Sequence, residues 1–297
     1  MLGCESIQGN NMTLVAVWKF DGTRRIQAVA DTRIKGDPGI LTEHGPKILP
    51  LTMICKKPGP SGFYDREAFR AEFGFAYCGS TLSALSAHAL ANILCENLAG
   101  HPEALIPSMD DIALAVGTIS HDYMREICQL GGEGSMFGAV LFGHCPRTGQ
   151  SLAFEYQPSI AGGFSLKIQK HVLGESDVVV IGSGTDILRK RIEAIRADAS
   201  HPIVVSDAPE RALEGLINEG SIPSVGGAVQ QAWSIPFRLE IAATMSPITP
   251  RPPSPRKCKS IRARFRYFRY AEHWRFQSEP YRSLAATWPN RSSTERG

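Results

Sequence analysis

Two kinds of hydrophobic pattern follow one another along the chain, and they come in blocks. TLVAVW at 13–18 and IQAVA at 26–30 are short runs rich in β-formers, with Asp21-Gly22 between them, and they predict a hairpin of two strands. A third strand is expected at 48–54. The stretch 57–72 is rich in Gly, Pro and charge and reads as a loop, and FGFAYC at 73–78 reads as the next strand. The period then changes. Apolar Leu82, Leu85, Leu90, Ile93 and Leu94 recur at helical spacing, so a helix is expected over 82–98, with Ser80 and Thr81 able to cap it. A second helix is expected over 109–129, with Ser108 and Asp110 as cap candidates. Strands are expected again at 136–143, 151–157, 164–168 and 177–181. Helices follow at 185–198 and 206–219, and Gly226-Gly227 opens a last strand-like stretch.

The order is strands, two helices, strands, two helices, strands. Strands and helices run in blocks instead of alternating one by one, which favours helices layered on antiparallel sheets over a doubly wound parallel sheet. The expected fold class is α+β, as a four-layer αββα sandwich. Composition changes this picture at the ends only. The 297 residues carry a net charge of +3, but the split is uneven, near −6 before residue 250 and +9 after it. Five prolines between Pro247 and Pro255 precede a stretch, 261–276, in which Arg alternates with Phe, Tyr and Trp. The chain therefore divides into an N-terminal extension at 1–12, a folded domain at 13–245 and a Pro-rich, then basic and aromatic, tail at 246–297. The tail reads as a disordered or non-native terminus. Phosphate contacts and base stacking by such a segment give the alternative, a nucleic-acid-binding arm.

No run of about 18 apolar residues is present, so no membrane-spanning helix is expected. MLGCESIQGNN lacks the basic and apolar blocks of a secretory signal. Seven scattered cysteines without a C-x-x-C pair fit a reducing, cytoplasmic setting. The eight histidines have no ligand spacing, and neither a metal nor another cofactor is expected.

The candidate chemistry lies in four short elements. They are Met12-Thr13 entering a strand, Ala30-Asp31-Thr32-Arg33, Gly45-Pro46-Lys47-Ile48 and Cys78-Gly79-Ser80, joined later by Gly182-Ser183-Gly184. In this order, and with sixteen residues from Asp31 to Lys47, the set resembles the proteasome β subunits of bacterial type, members of the N-terminal-nucleophile hydrolases. The resemblance implies a threonine-dependent peptide hydrolase. Thr13 would be the nucleophile, Lys47 would favour its alkoxide, and Asp31 would hold Lys47. The Gly79 N–H would face the oxyanion, and Ser183 would hydrogen-bond near the amine. A Thr hydroxyl needs a base, and an α-amine at a chain start, with a pKa of about 7.7–8.0, can serve. Thr13 must then be exposed, which initiation at Met12 followed by methionine removal would accomplish. The resemblance further implies a ring or smaller homo-oligomer and an ATPase partner. The family carries an Asp shortly before a Ser-Gly-Gly, where this chain has Ile222-Pro223-Ser224-Val225-Gly226-Gly227 and Ser224 is the nearest substitute.

Each element also has a plainer meaning. Thr13 can be a simple β-former, Asp31 and Lys47 an exposed ion pair, and Gly79-Ser80 a strand-to-helix turn with a cap. The blander function is a proteasome-like subunit that is structural and inactive. DVVVIGSGT at 177–185 resembles the start of a dinucleotide fingerprint, but position 187 is Ile where the third glycine belongs. Cys78 reads as a small filler of the core and not as a nucleophile.

Overall fold

The computed structural model describes residues 13–36, 39–100 and 106–243. The extension at 1–12, with Met12, and the tail at 246–297 lie outside the described residues. Strands β1 (Leu14–Lys19) and β2 (Ile26–Asp31) form the expected hairpin, followed by the short pair β3 (Ile34–Gly36) and β4 (Gly39–Thr42). Then come β5 (Ile48–Lys57), β6 (Arg66–Gly79), helix α1 (Thr81–Cys95), β7 (Leu98–Ala99) and helix α2 (Met109–Gly131). A second strand block holds β8 (Phe137–His144), β9 (Ser151–Ser159), β10 (Ser165–Val172) and β11 (Val178–Gly182). Helices α3 (Thr185–Asp198), α4 (Pro202–Ser206) and α5 (Ala208–Glu219) precede the closing hairpin β12 (Val229–Ile235) and β13 (Arg238–Ala243).

The strands form a five-stranded sheet in the order β11-β1-β2-β12-β13 and a six-stranded sheet in the order β10-β9-β8-β6-β5-β7, with β3 and β4 apart. Pairing is antiparallel except between β5 and β7. The class is thus mixed α and β with several sheets. Period-2 alternation divides the burial. On β1, Val15 and Val17 enter a core cluster with Ile48, Ala76, Val140 and Phe142 of the larger sheet. The intervening Leu14, Ala16 and Trp18 pack with Leu188, Ile192, Leu213 and Leu216 of α3 and α5. Both faces of the strand are covered, which explains why 13–18 is apolar throughout instead of alternating. The larger sheet repeats the device, with Phe73, Phe75 and Tyr77 of β6 turned to a cluster that includes Ala84, Ala87, Ile112 and Val116 of α1 and α2. Buried polar atoms are tied across these boundaries. Trp18 Nε1 donates to Ser206 O at 2.8 Å, and Tyr156 Oη donates to Ala113 O at 2.9 Å.

One expectation fails. The stretch 57–72 is not all loop, because β6 begins at Arg66 and pairs with β5 as far as Lys57. Its charges occupy the exposed end of the ladder, where Arg70 meets Glu67 at 2.8 Å. Backbone pairing there proceeds regardless of side-chain polarity. Helix α1 forms where its apolar spacing predicts. Ser80 caps it as expected, accepting from Ser83 N. The face that packs inward, however, is made of Ser83, Ala84, Ala87, Ala91 and Cys95. The larger Leu82, Leu90 and Ile93 are 69%, 50% and 62% exposed. Small residues let the helix backbone approach the sheet closely, and the apolar periodicity marked the outward face. The helix expected over 206–219 is α5, which starts at Ala208, and the separate short α4 precedes it and ends at Ser206.

Substitutions on α1 separate its two faces. Ala87→Leu forces extra volume into a filled site and is expected to lower unfolding stability by about 1–3 kcal/mol. Leu90→Gln on the outward face is expected to change it by no more than about 0.5 kcal/mol. Urea unfolding of both variants measures the difference.

Candidate active site

Thr13 immediately precedes β1 and is buried. Its carbonyl accepts the Ser183 N–H at 3.1 Å, so the start of β1 is fastened to the turn after β11. That turn requires glycine at 182. Its φ is +104°, and a Cβ there would sit 1.7 Å from the Thr13 carbonyl oxygen. Ser183 was expected to hydrogen-bond near the Thr13 amine, and the bond found here runs from its N–H to the Thr13 carbonyl. The hydroxyl makes no hydrogen bond to another described residue.

Asp31 ends β2 beside the first residues of β1 and is 0% exposed. Its Oδ1 accepts the Leu14 N–H at 2.9 Å, and its Oδ2 accepts the Gly226 N–H at 3.1 Å and the Arg33 N–H at 3.3 Å. Thr32 Oγ1 continues the join, accepting the Ala228 N–H at 2.8 Å and donating to Glu43 O. Burial pushes the Asp31 carboxyl up to about 6, against the pull of its backbone donors and of the Lys47 charge. Asp31 and Lys47 interact through space, yet no ion pair within 4.0 Å joins them.

Lys47 is 2% exposed, so the plainer reading of Asp31 and Lys47 as an exposed pair does not hold. Gln230 of β12 fixes its backbone. Its Oε1 accepts from Lys47 N at 2.7 Å and Ile48 N at 2.9 Å, and its Nε2 donates to Ile48 O at 2.9 Å. The Nζ lies 5.3 Å from the centroid of the Tyr77 ring. The Tyr77 hydroxyl donates to Pro46 O at 2.8 Å. Desolvation pulls the Lys47 ammonium below its ordinary value, with Asp31 and Cys78 opposing. A lysine so placed supplies positive charge without a full counter-ion, and its proton is more easily given up than that of an exposed lysine.

Gly79 closes the arrangement. Its φ is +93°, and a Cβ would meet Met136 O at 2.7 Å. The Tyr77 N–H donates to Lys47 O and the Ser80 N–H to Met136 O. Backbone direction alternates along a strand, so the Gly79 N–H falls on the Lys47 side. Thr13, Lys47 and Gly79 line one small cleft together with Arg33, Ile34, Lys35 and Thr81. Cys78 stands beside it, with burial pushing its thiol up to about 12. It therefore remains an unreactive thiol at neutral pH. Among the described residues no cluster of three or more His, Cys, Asp or Glu side chains could hold a metal ion, and no helix is long and apolar enough to cross a membrane. Ser224 is half-buried, and its hydroxyl bonds no described residue.

Sequence reasoning missed Gln230, Tyr77, Thr81 and Lys35 as parts of the site. Arg33 was quoted in a motif without a role. It binds Glu43 through Nε at 3.0 Å and holds the carbonyls of Pro223 and Val225 at 3.1 and 3.2 Å. The one usable signal for Gln230 is a polar residue inside an otherwise strand-like run. Its partners lie 183 and 182 residues away, beyond any local pattern. In sequence comparisons, no protein-family model matches the chain and no curated protein matches it.

Replacing Asp31 by Asn turns an amide NH₂ toward at least one backbone donor and is expected to cost about 1–3 kcal/mol. The pH dependence has a defined sign. A carboxyl raised to about 6 in the folded protein, from 3.8, binds its proton there before the unfolded chain does. Its contribution therefore makes stability rise as pH falls from about 6 to about 4 and is flat above that window. Denaturant unfolding across pH 4–7 should show this component in the native sequence and lack it in Asp31→Asn.

Proposed function

We propose that the chain is a threonine-dependent amide hydrolase, with peptides as substrates, of the proteasome β-subunit type, and that its layers form an αββα sandwich. The observation that carries the reading is the meeting of Thr13, Lys47 and Gly79 in one cleft, with Asp31 buried at the same end of the hairpin. The three core clusters support the layering, since one joins both sheets and the others join each sheet to its own helices.

In the proposed reaction, initiation at Met12 followed by methionine removal exposes the Thr13 amine. That amine takes the hydroxyl proton as Oγ1 attacks the amide carbon. Lys47 lowers the energy of the developing alkoxide, and the Gly79 N–H receives the oxyanion. The proton passes to the leaving nitrogen, an ester forms on Thr13, and water then hydrolyses it. The outward apolar side chains of α1 support the accompanying proposal of a homo-oligomer, because contiguous exposed apolar surface marks interaction sites. An ATPase partner and a cytoplasmic location belong to the same reading. One observation favours a second, an inactive structural subunit: no acid stands before Gly226-Gly227, and the Gly226 N–H is engaged by Asp31.

A chain beginning at Thr13 decides between them. It is expected to hydrolyse peptide amides and to gain the mass of an acyl group on Thr13 during turnover. Thr13→Ala should abolish activity with unchanged unfolding, and Lys47→Ala should reduce it by at least about 100-fold. Thr13→Ser should retain part of it. Turnover that survives Thr13→Ala in protein freed of contaminating protease would overturn the mechanism.

A further inference from the structure

The free edges of the two large sheets are obstructed by side chains of this chain in all cases but one. On β11, Arg189 Nη1 donates to Val178 O at 3.3 Å and Thr185 Oγ1 donates to Gly182 O at 2.8 Å. On β13, Glu72 Oε2 accepts the Leu239 N–H at 3.0 Å. The outer side of β5 is adjoined only by the short β7, and side chains hold the rest of it. Gln230 takes the N–H and C=O of Ile48, His88 Nε2 meets Pro50 O at 2.8 Å, and Asn92 Oδ1 accepts the Thr52 N–H at 2.9 Å. Such caps occupy the groups that an added strand would need.

Strand β10 is the exception. Just past its end the Leu173 N–H donates to Ser151 O at 3.0 Å, which fixes the alternation of the ladder with β9. The N–H and C=O groups of Leu166, Ile168, Lys170 and Val172 therefore point away from β9. No described residue bonds them. Apolar surface accompanies these open groups. Val172 is 59% exposed, and so is Leu114 of α2 at 63%, one helical turn from the residues that meet Lys170 and Ile168. Lys170 does not guard the edge. Its Nζ lies 2.7 Å from Asp110 and 5.7 Å from the ring centroid of Phe154 on β9, so the side chain folds back over its own sheet.

We propose that β10 pairs antiparallel with β10 of a second copy of this chain, about a two-fold axis through Gln169. The proposal is independent of the hydrolase reading, and the contact is separate from the outward face of α1. Such pairing joins the two six-stranded sheets through about eight hydrogen bonds. Leu166 then lies opposite the second copy's Val172 and covers it, and Ile168 lies opposite the second copy's Lys170. On the other face Lys167 meets the second copy's His171, which is already held by its own Glu155 at 3.2 Å. Charge and exposure select this register. An axis through Lys170 sets the two lysines directly opposite each other, and one through Ile168 leaves Val172 opposite Phe164, beyond the start of β10.

The test uses the full chain. Sedimentation equilibrium is expected to show a reversible dimer dissociating on the order of 10 μM, since a single strand pair is a small interface. Val172→Pro removes an outward donor and leaves the β9 ladder intact. The position occurs twice in the pair, so association should weaken by about tenfold or more. Leu90→Gln on α1 should leave it unchanged. Gln169→Cys stands opposite its own counterpart, about 4.5 Å away between Cα atoms, and should form a disulfide when diamide takes up the two thiol hydrogens. Lys167→Cys, about 14 Å from its counterpart, should not. Mass spectrometry of the linked peptides separates this bond from any made by native cysteines. Exchange of the amide hydrogens at 166, 168, 170 and 172 should slow as protein concentration rises, a measurement that needs no substitution. A monomer at about 200 μM, or protection of these amides that ignores concentration, would overturn the proposal. So would association lost in Leu90→Gln but kept in Val172→Pro, or equal cross-linking by the two cysteine variants.

Discussion

One buried carboxylate organises this end of the molecule. Asp31 collects backbone N–H groups from Leu14, Arg33 and Gly226, which lie at the start of β1, just past β2 and in the loop before β12. The Leu14 and Gly226 N–H groups would lose their acceptor without it, whereas the Arg33 N–H also donates to Gly226 O at 3.0 Å. The cost of burying the charge is offset only in part by these donors, since burial still raises the carboxyl to about 6, and the exchange ties the start of β1, the end of β2 and the loop before β12 to one point. Thr13 precedes Leu14 and so inherits its position from this join. Arg33 and Lys35 follow Asp31 and inherit theirs as well.

Lys47 is located by a different means. Gln230 reaches from the smaller sheet to the backbone of Lys47 and Ile48 in the larger one, and all three of its contacts are to main chain. The side chain above that clamp has the Tyr77 ring on one side and the Asp31 charge beyond ion-pair distance. A direct pair would neutralise the ammonium. Separation leaves the ammonium without a direct counter-ion beside the cleft that Thr13 and Gly79 line. The electrostatic character of the site thus depends on a gap between two charges as much as on their presence.

The helical layer shows how pattern and packing part company. Leu82, Leu90 and Ile93 of α1 carry the helical period, yet Ala84, Ala87 and Ala91 fill the space against the sheet. Periodicity reports that a helix has an apolar stripe, and it is silent on whether the stripe faces the core or another surface. The charged start of β6 misled for a related reason. Composition counts side chains, whereas the ladder with β5 is made by main-chain groups.

Much was set by local chemistry and is legible in the sequence alone. The hairpin around Asp21-Gly22, the block order of strands and helices, the Ser80 and Ser108 caps and the glycine turns at 79 and 182 all depend on neighbours in the chain. The motif order alone singles out Thr13, Asp31, Lys47 and Gly79 as candidates. Tertiary structure alone decided that Asp31 spends its oxygens on backbone donors and that Gln230 is the clamp for Lys47. It also decided that the Ser183 N–H fastens the turn after β11 to the Thr13 carbonyl. The reason is physical. Local structure follows from backbone preferences that act over a few residues. The balance of a buried charge depends on which distant groups the packing brings within about 3 Å of it.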